Sequence, residues 1–343
     1  MASQGSLPAL SDLPLKAGDP PNSAWGLWGD KAALGALNRL TDEVVLNAVK
    51  NEIKTGERVG LEYATNIPPY FLLTLVKHVA DTVCSLPLDL FDPPLLGRAG
   101  FSQKVINKDP LVVNDDVITF NTQGSSQWDS FRHFAYQKDK KFYNGITQAD
   151  IHAQARTAPN GLQAWSERCI AGRGVLVDYA SWAARQGRAV QYFQKHPITV
   201  DDVKAIVAEE GLTIQPGDIL FLRTGYAAAY QLLSRDERAE VAGVREWIGL
   251  GQGRATTEWL WDNQFAAVAS DSPGFECRPP VDPAWHLHPI LLAGWGTPIG
   301  ELFDLDKLAA LCSKHKRWSF FVTSAPLNYE GAVASPPNAV AIF

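Results

Sequence analysis

The densest group of polar side chains in this sequence lies between residues 121 and 133, directly after an apolar run. Four of these polar residues have odd numbers: the amides Gln123 and Gln127, the carboxylate Asp129 and the imidazole His133. In an extended chain these four side chains share a face, unless a turn at Gly124 or beyond Asp129 intervenes. Such a set could bind a divalent cation or move a proton at a substrate. A polar surface strand is the alternative interpretation.

A second group of polar candidates follows much later in the chain. His286 and His288 are separated by one residue, so on a strand they would share a face, and Glu301 follows them. A His-x-His pair is a modest indication of a metal site. Asp271 follows an apolar run, where α/β proteins often present a functional carboxylate. A capped turn or a satisfied core group is the alternative for Asp271.

The elements that must position these residues alternate between helices and strands. Helices are predicted at 41–55, capped by Thr41, at 200–210, capped by Thr199, and at about 304–312. Six short apolar runs predict strands at 111–113, 117–120, 174–178, 218–223, 265–269 and 319–323. Since no repeat or long linker interrupts this pattern, we predict an N-terminal arm at 1–24 and one α/β domain at 25–343.

Composition excludes several classes of protein. The 11 Trp, 15 Phe and 9 Tyr among 343 residues provide ample apolar area for a core, which excludes a disordered chain. The net charge of −6 without a basic block argues against nucleic-acid and anionic-membrane partners. No apolar stretch reaches the length of a membrane span, and the N-terminus lacks the features of a secretory signal. Four widely separated cysteines indicate reduced thiols, so we expect a cytoplasmic protein.

Several longer motifs show that the chain resembles the cyclase family, the metal-dependent hydrolases related to bacterial kynurenine formamidase and isatin hydrolase. The motifs span nearly the whole chain and include Trp28-Gly-Asp30, Phe142-Tyr-Asn-Gly145, Pro216-Gly-Asp-Ile-Leu-Phe-Leu-Arg-Thr-Gly225, His288-Pro-Ile-Leu-Leu292 and Gly300-Glu301. The resemblance implies a single α/β domain of the swivelling β/β/α type with a mixed, barrel-like sheet.

The metal motif of that family reads His-x-Gly-Thr-His-x-Asp-x-Pro-x-His, and this chain departs from it at two ligands. Gln123 and Gln127 replace histidines, whereas Asp129 and His133 match. The resemblance also places His288 and Glu301 at ligand positions, so we expect all six side chains to converge in one pocket. The implied ligands are Gln123, Gln127, Asp129, His288 and Glu301. Among Mn²⁺, Mg²⁺ and Zn²⁺, amide oxygens suit the harder ions better than Zn²⁺, and a metal-free pocket is the alternative.

The activity that the resemblance implies is hydrolysis of an amide, imide or lactone in a small molecule. In that prediction His133 is the general base and then the general acid, while Asp129 and Glu301 orient it or hold the metal. Gln123 and Gln127 bind the substrate carbonyl or complete the coordination of the metal. Aromatic side chains beside the polar candidates suggest an aromatic or polyketide-like substrate, with core packing as the alternative; they are Tyr70, Phe71, Trp128, Phe131 and Trp285.

Two other functions stay open, and so does the assembly. One is a metal-free cyclase, dehydratase or isomerase of secondary metabolism, and the other is a non-catalytic relative that binds a small molecule. We expect a homo-oligomer, most simply a homodimer, formed through the N-terminal arm and the apolar segment at 67–73.

Overall fold

The computed structural model describes residues 7–60, 86–153 and 159–343. Within these ranges, nine strands form one curled sheet. Their spatial order is β1 (Arg58–Gly60), β13 (Ala339–Ile342), β11 (Ser319–Ser324), β5 (Ile170–Asp178), β7 (Ile219–Arg223), β9 (Ala267–Ser270), β10 (Ile299–Glu301), β4 (Gln127–Asp129) and β12 (Ala334–Ser335). Two smaller sheets pair β2 (Ser102–Asn107) with β3 (Asn114–Thr119) and β6 (His196–Ile198) with β8 (Ile248–Leu250).

The middle of the large sheet is parallel and its two flanks are antiparallel. The pairs β5–β7, β7–β9 and β9–β10 are parallel. Parallel strands are covered on both faces, which explains why β7 reads as the continuous apolar run Ile-Leu-Phe-Leu before its final arginine. The mixed, curled sheet confirms the predicted fold class of one α/β domain.

Nine α-helices are present in the described part of the chain. They are α1 (Asp42–Glu52), α2 (Gln148–Ala153), α3 (Gln163–Arg168), α4 (Tyr179–Arg185), α5 (Val200–Glu209), α6 (Tyr226–Gln231), α7 (Arg235–Ala242), α8 (Arg254–Asp262) and α9 (Asp306–His315). Both predicted caps are present, since the hydroxyl of Thr41 accepts the N–H of Val44 at 3.3 Å and that of Thr199 accepts the N–H of Asp202 at 3.0 Å. None of the described helices could cross a membrane.

Five of the six predicted strands are confirmed, as parts of β3, β5, β7, β9 and β11. The run at 117–120 falls largely within β3, which is exposed on both faces. The run at 111–113 is not a strand, because it follows Pro110 in the turn between β2 and β3. There the side chain of Val112 is fully exposed. The prediction of a strand at 111–113 is therefore wrong, because apolar composition alone does not distinguish a strand from an exposed turn.

Glu210 is a half-buried carboxylate at the C-terminal end of α5. Neither of its oxygens has a hydrogen-bond partner among the described residues. Burial, reinforced by the charge of Asp178, raises the pKa of Glu210 to about 8. A negative charge at the carboxyl end of a helix also opposes the helix dipole. Ionised Glu210 therefore destabilises the folded protein.

We expect Glu210→Gln to stabilise the protein at alkaline pH. In the wild type the folded-state pKa of about 8 exceeds the ordinary value of 4.5, so stability falls as pH rises between these two values. Since the group is partly exposed, we expect a gain of about 1–2 kcal/mol above pH 8 and almost none near pH 5. Thermal unfolding at both pH values measures it. Glu209→Gln, which keeps only one of the two oxygens that accept from Trp182 and Arg185, should bring no such gain. An equal Tm for Glu210→Gln and wild type at pH 8 would contradict the prediction.

Candidate active site

Two neighbouring strands determine where three of the polar candidates lie. Strands β4 and β10 pair antiparallel, with Gln127 opposite Glu301 and Asp129 opposite Ile299. Directly opposed residues share a face of the sheet, so Gln127, Asp129 and Glu301 point to the same side. All three side chains are buried. The amide of Gln127 donates to Glu301 Oε2 at 2.7 Å, which joins the two groups of residues that are far apart in the chain.

Two turns, rather than one extended strand, bring Gln123 and His133 into this pocket. A turn at Gly124 precedes β4, and after β4 the N–H of His133 donates to the carbonyl of Ser130 at 3.0 Å. The amide of Gln123 donates to Asp129 Oδ1. His133 Nε2 lies 3.8 Å from Asp129 Oδ2. The predicted convergence is therefore present, but it depends on the turns that a purely extended arrangement would have lacked.

His288 enters the pocket at the start of a π-helix, Pro289–Trp295. Its Nε2 lies 2.9 Å from Glu301 Oε1, and its Nδ1 lies 2.7 Å from Glu276 Oε1. His286 and His288 do not lie on a strand, but both imidazoles face Glu276. Short π-helical segments occur frequently at functional sites.

Glu276 is a pocket residue that sequence reasoning did not single out. Its side chain is 4% exposed, and it accepts the N–H groups of Leu287 at 2.7 Å and His288 at 2.6 Å. The amide of Gln252 donates to it at 2.8 Å. The available signal was a lone glutamate between a phenylalanine and a cysteine, since an ionised group in such surroundings needs partners. Glu276 fixes the orientation of the His288 ring.

Burial and charge set the ionisation of the pocket. Burial, followed by the charge of Glu301, raises the pKa of Asp129 well above its ordinary value. Burial, followed by the charge of His288, lowers the pKa of His133 to about 3, which leaves this imidazole neutral. For His288 burial opposes ionisation, but hydrogen bonds to Glu276 and Glu301 outweigh it and raise the pKa to about 10. A neutral imidazole thus lies beside a cationic one.

The pocket contains unpaired oxygens that could bind a ligand. Asp129 Oδ2 and Gln127 Oε1 are buried without a hydrogen-bond partner in the described part of the chain. Leaving such atoms unpaired costs about 1–3 kcal/mol each, so a native pocket normally fills them with water, an ion or substrate. The donor atoms of Asp129, His133 and His288 all lie within 4.8 Å of one another. This set of oxygen and nitrogen donors fits a divalent cation.

Gln123 does not fit its predicted place among the metal ligands. Its side-chain oxygen already accepts from Gln127 at 3.3 Å and from Arg98 at 3.5 Å. Its nitrogen donates to Asp129. The amide therefore holds a carboxylate in position, because its own oxygen is engaged by two donors.

Two of the aromatic residues predicted to contact substrate are core residues. Trp128 points to the opposite face of β4 from the pocket, where its indole N–H donates to Ser324 Oγ at 2.9 Å. Phe131 is fully buried against Tyr143 and Trp165. Side chains alternate between the two faces of a strand, so Trp128 points away from Gln127 and Asp129. Phe131 is held in the core by packing. Core packing, the stated alternative, is the correct interpretation for both.

The other aromatic candidates and Asp271 differ in where the structure places them. Trp285 is half-buried against the core and stays a candidate for substrate contact. Tyr70, Phe71 and the segment 67–73 lie outside the described residues. Asp271 accepts the N–H and hydroxyl of Thr224 at 2.6 and 2.7 Å and the N–H of Gly225 at 2.8 Å, so it is a satisfied core group.

Comparisons with known proteins identify one family and several solved structures that this chain resembles. The model of a family named Cyclase matches residues 51–277. A crystal structure described as a novel cyclase has a TM-score of 0.76 at 28% identity, covering 94% of this chain and 99% of its own. Isatin hydrolase A from Labrenzia aggregata, bound to benzyl benzoate, has a TM-score of 0.52 at 16% identity, covering 75% and 91%. Isatin hydrolase A from Ralstonia solanacearum has a TM-score of 0.50 at 14% identity, covering 88% and 97%. The last two likenesses show the fold alone, and no curated protein matches the chain.

Proposed function

Because the chain belongs to the cyclase family, we propose that it is a hydrolase acting on the C–N or C–O bond of an amide, imide or lactone in a small molecule. The family confirms the resemblance inferred from the motifs. Fold relatives named as isatin hydrolases support a hydrolytic reaction. The observation that carries the proposal is the unpaired oxygen of buried Asp129, 3.8 Å from the Nε2 of neutral His133.

In the proposed reaction His133 accepts a proton from the attacking water and returns it to the departing nitrogen or oxygen. Its side chain is 21% exposed and that of His288 is 11% exposed, while Asp129 is fully buried, so substrate reaches His133 first. Although burial raises the pKa of Asp129, its ionised form would stabilise the imidazolium that forms. The two glutamine amides donate to Asp129 and Glu301 and keep these carboxylates in place.

A divalent cation fits beside this base. With His133 reserved for the proton, Asp129, Glu301 and the Nε2 of His288 would hold the ion, which would take the place of the Nε2 proton and of its 2.9 Å contact with Glu301 Oε1. When bound, the ion would polarise the scissile carbonyl and lower the pKa of water. Two carboxylates and one imidazole suit Mn²⁺ as well as Zn²⁺.

The proposal is tested with purified protein and three substrate classes: an aryl formamide, a cyclic imide or lactam such as isatin, and an aromatic lactone. Each is incubated with EDTA-treated protein and with protein supplied with Mn²⁺ or Zn²⁺, and products are separated by mass. Addition of water to at least one class is expected. Products of unchanged mass, or of a mass lower by one water, would instead support the isomerase, cyclase or dehydratase alternatives. Binding without turnover of any class would support a non-catalytic relative.

Gln127→His tests how this glutamine affects the choice of metal. An imidazole next to Asp129 is a stronger donor for Zn²⁺ than an amide, so we expect Zn²⁺ to bind about tenfold more tightly, a change of about 1.4 kcal/mol. Turnover should not rise, because the 2.7 Å bond to Glu301 is lost. Isothermal titration of metal-free protein measures the affinity. Gln137→His places an imidazole at an exposed position and serves as control. An equal gain in both variants would refute the argument.

A further inference from the structure

Arg98 is a half-buried arginine whose side chain reaches the candidate active site. It follows a 3₁₀ turn, Leu95–Gly97, and its N–H donates to the carbonyl of Leu95 at 3.3 Å. The side chain of Leu95 is buried, so the core anchors this turn. The guanidinium donates to the backbone carbonyl of Gln123 and lies 3.5 Å from its side-chain oxygen. Since Gln123 donates to Asp129, a single side chain separates Arg98 from a carboxylate of the pocket.

The positive charge of Arg98 has no carboxylate in contact with it within residues 7–60, 86–153 and 159–343. Other partly buried arginines of this protein are paired, since Arg173 and Arg223 each contact two carboxylates at 2.7–2.8 Å. Both acceptors that Arg98 does contact are neutral amide oxygens of Gln123. A cation that lacks a counter-ion beside a pocket is available to an anionic ligand.

The shape of the guanidinium restricts what that ligand can be. Its planar fork has five N–H donors, and the two contacts with Gln123 leave three of them for another acceptor. Such a fork matches the two oxygens of a carboxylate, with which arginine forms charge-assisted hydrogen bonds. A phosphate would bring two negative charges close to Asp129 and Glu301, so the single charge of a carboxylate suits this position better.

Arg98 is close enough to influence both groups of the proposed proton transfer. Burial is the main cause of the lowered pKa of His133 and the raised pKa of Asp129, and the charge of Arg98 lowers the pKa of both. Because Gln123 lies between Arg98 and Asp129, an anion bound to Arg98 does not occupy the place of the scissile carbonyl beside His133. The bound carboxylate must therefore be a second group of the substrate, several bonds from the bond that is cleaved.

An aromatic side chain lines the pocket on the side of the imidazoles. Phe134 is half-buried, and its ring centre lies 5.4 Å from those of His286 and His288 and 6.2 Å from that of His133. A flat ring of a substrate can pack against the accessible part of Phe134 while its carbonyl lies at His133. A benzene ring is also a rigid spacer that holds a carboxylate several bonds away from that carbonyl.

We propose that Arg98 binds a carboxylate of the substrate, so that the enzyme selects aromatic amides or lactones that carry a carboxylate away from the scissile bond. This inference rests on the proposed hydrolytic function and narrows its substrate class. Water adds to the carbonyl, the C–N or C–O bond breaks, and His133 passes the proton to the departing atom, while the carboxylate on Arg98 is unchanged. The hydrogen bonds to this charged group correspond to about 10–100-fold in affinity.

The first test compares two amides of equal size that differ in charge, 4-formamidobenzoate and 4-formamidobenzamide. Wild type should hydrolyse the carboxylate with a kcat/KM at least tenfold higher than that of the neutral amide. Arg98→Gln should lose this preference, and Arg98→Lys should keep part of it, because a lysine retains the charge without the planar fork. Arg245→Gln removes an arginine at an exposed position after α7, so the preference should stay as in wild type.

The second test measures binding without turnover, by isothermal titration of the products 4-aminobenzoate and 4-aminobenzamide. Wild type should bind the carboxylate at least tenfold more tightly, and Arg98→Gln should bind the two compounds equally. This result supports the assignment of Arg98 even where neither formamide is hydrolysed, in which case the proposed hydrolysis alone would be wrong.

Three outcomes would overturn the proposal. One is equal binding of both products by wild type, and another is binding of neither. The third is an equal loss for the charged and the neutral compound in Arg98→Gln, because the guanidinium would then act only by supporting Gln123 and, through it, Asp129.

Discussion

His133→Ala is expected to lower the rate of hydrolysis by about 10²–10⁴-fold, the usual contribution of a general acid–base group. The variant should bind Mn²⁺ or Zn²⁺ as tightly as wild type, because Asp129, His288 and Glu301 are proposed to hold the ion. The physical basis is that neutral His133 is a partly exposed proton acceptor, 3.8 Å from Asp129. The rate is measured as kcat/KM on the substrate found in the screen, and affinity by isothermal titration.

His152→Ala is the matched control for this variant. His152 lies on the exposed side of α2 and contacts Gln148 at 2.9 Å, so its removal should leave both quantities unchanged. The experiment also separates two roles of His133, since its donor atom lies within 4.8 Å of those of Asp129 and His288. If His133→Ala weakens metal binding tenfold or more, His133 is a ligand and its assignment as the proton acceptor is wrong.

Glu276→Ala is expected to lower the free energy of unfolding by about 3–5 kcal/mol, the usual cost of removing one partner of a buried ion pair. Glu276 is the only described carboxylate that accepts from His288 Nδ1, at 2.7 Å, and it also accepts the N–H groups of Leu287 and His288. Without it, three buried donors and the amide of Gln252 lose an acceptor. Urea unfolding at neutral pH, followed by tryptophan fluorescence, measures the change.

Two further variants make the result interpretable. Glu258→Ala removes an exposed carboxylate that pairs with Arg254 at 2.7 Å within one helix, and should cost less than about 0.5 kcal/mol. Glu276→Gln keeps an acceptor of the same shape without its charge, so its loss should be intermediate. A loss below about 1 kcal/mol for Glu276→Ala would show that His288 does not depend on this pairing.

The local structure of this protein could be predicted where neighbouring residues carry the whole signal. Thr41 and Thr199 begin helices as expected, because a hydroxyl one turn away from unpaired N–H groups can act within a few residues. The runs in β5 and β7 are strands because a parallel sheet buries both of their faces. The strand predicted at 111–113 is wrong, because apolar composition does not reveal that these residues lie in an exposed turn after Pro110.

The sequence by itself determined which side chains could do chemistry: Gln123, Gln127, Asp129, His133, His288 and Glu301 were identified from residue types and motifs. Only the tertiary structure decided what each one does. The register of β4 on β10 puts Gln127 against Glu301, and the loop after β9 brings Glu276 to His288. As a result, Gln123 and Gln127, which were expected to bind a metal, hold carboxylates in position. Burial keeps His133 neutral, whereas hydrogen bonds to Glu276 and Glu301 favour the cationic form of His288. The reason is physical: spacing along the chain limits which atoms can meet, but hydrogen bonding and burial depend on atoms that distant strands contribute.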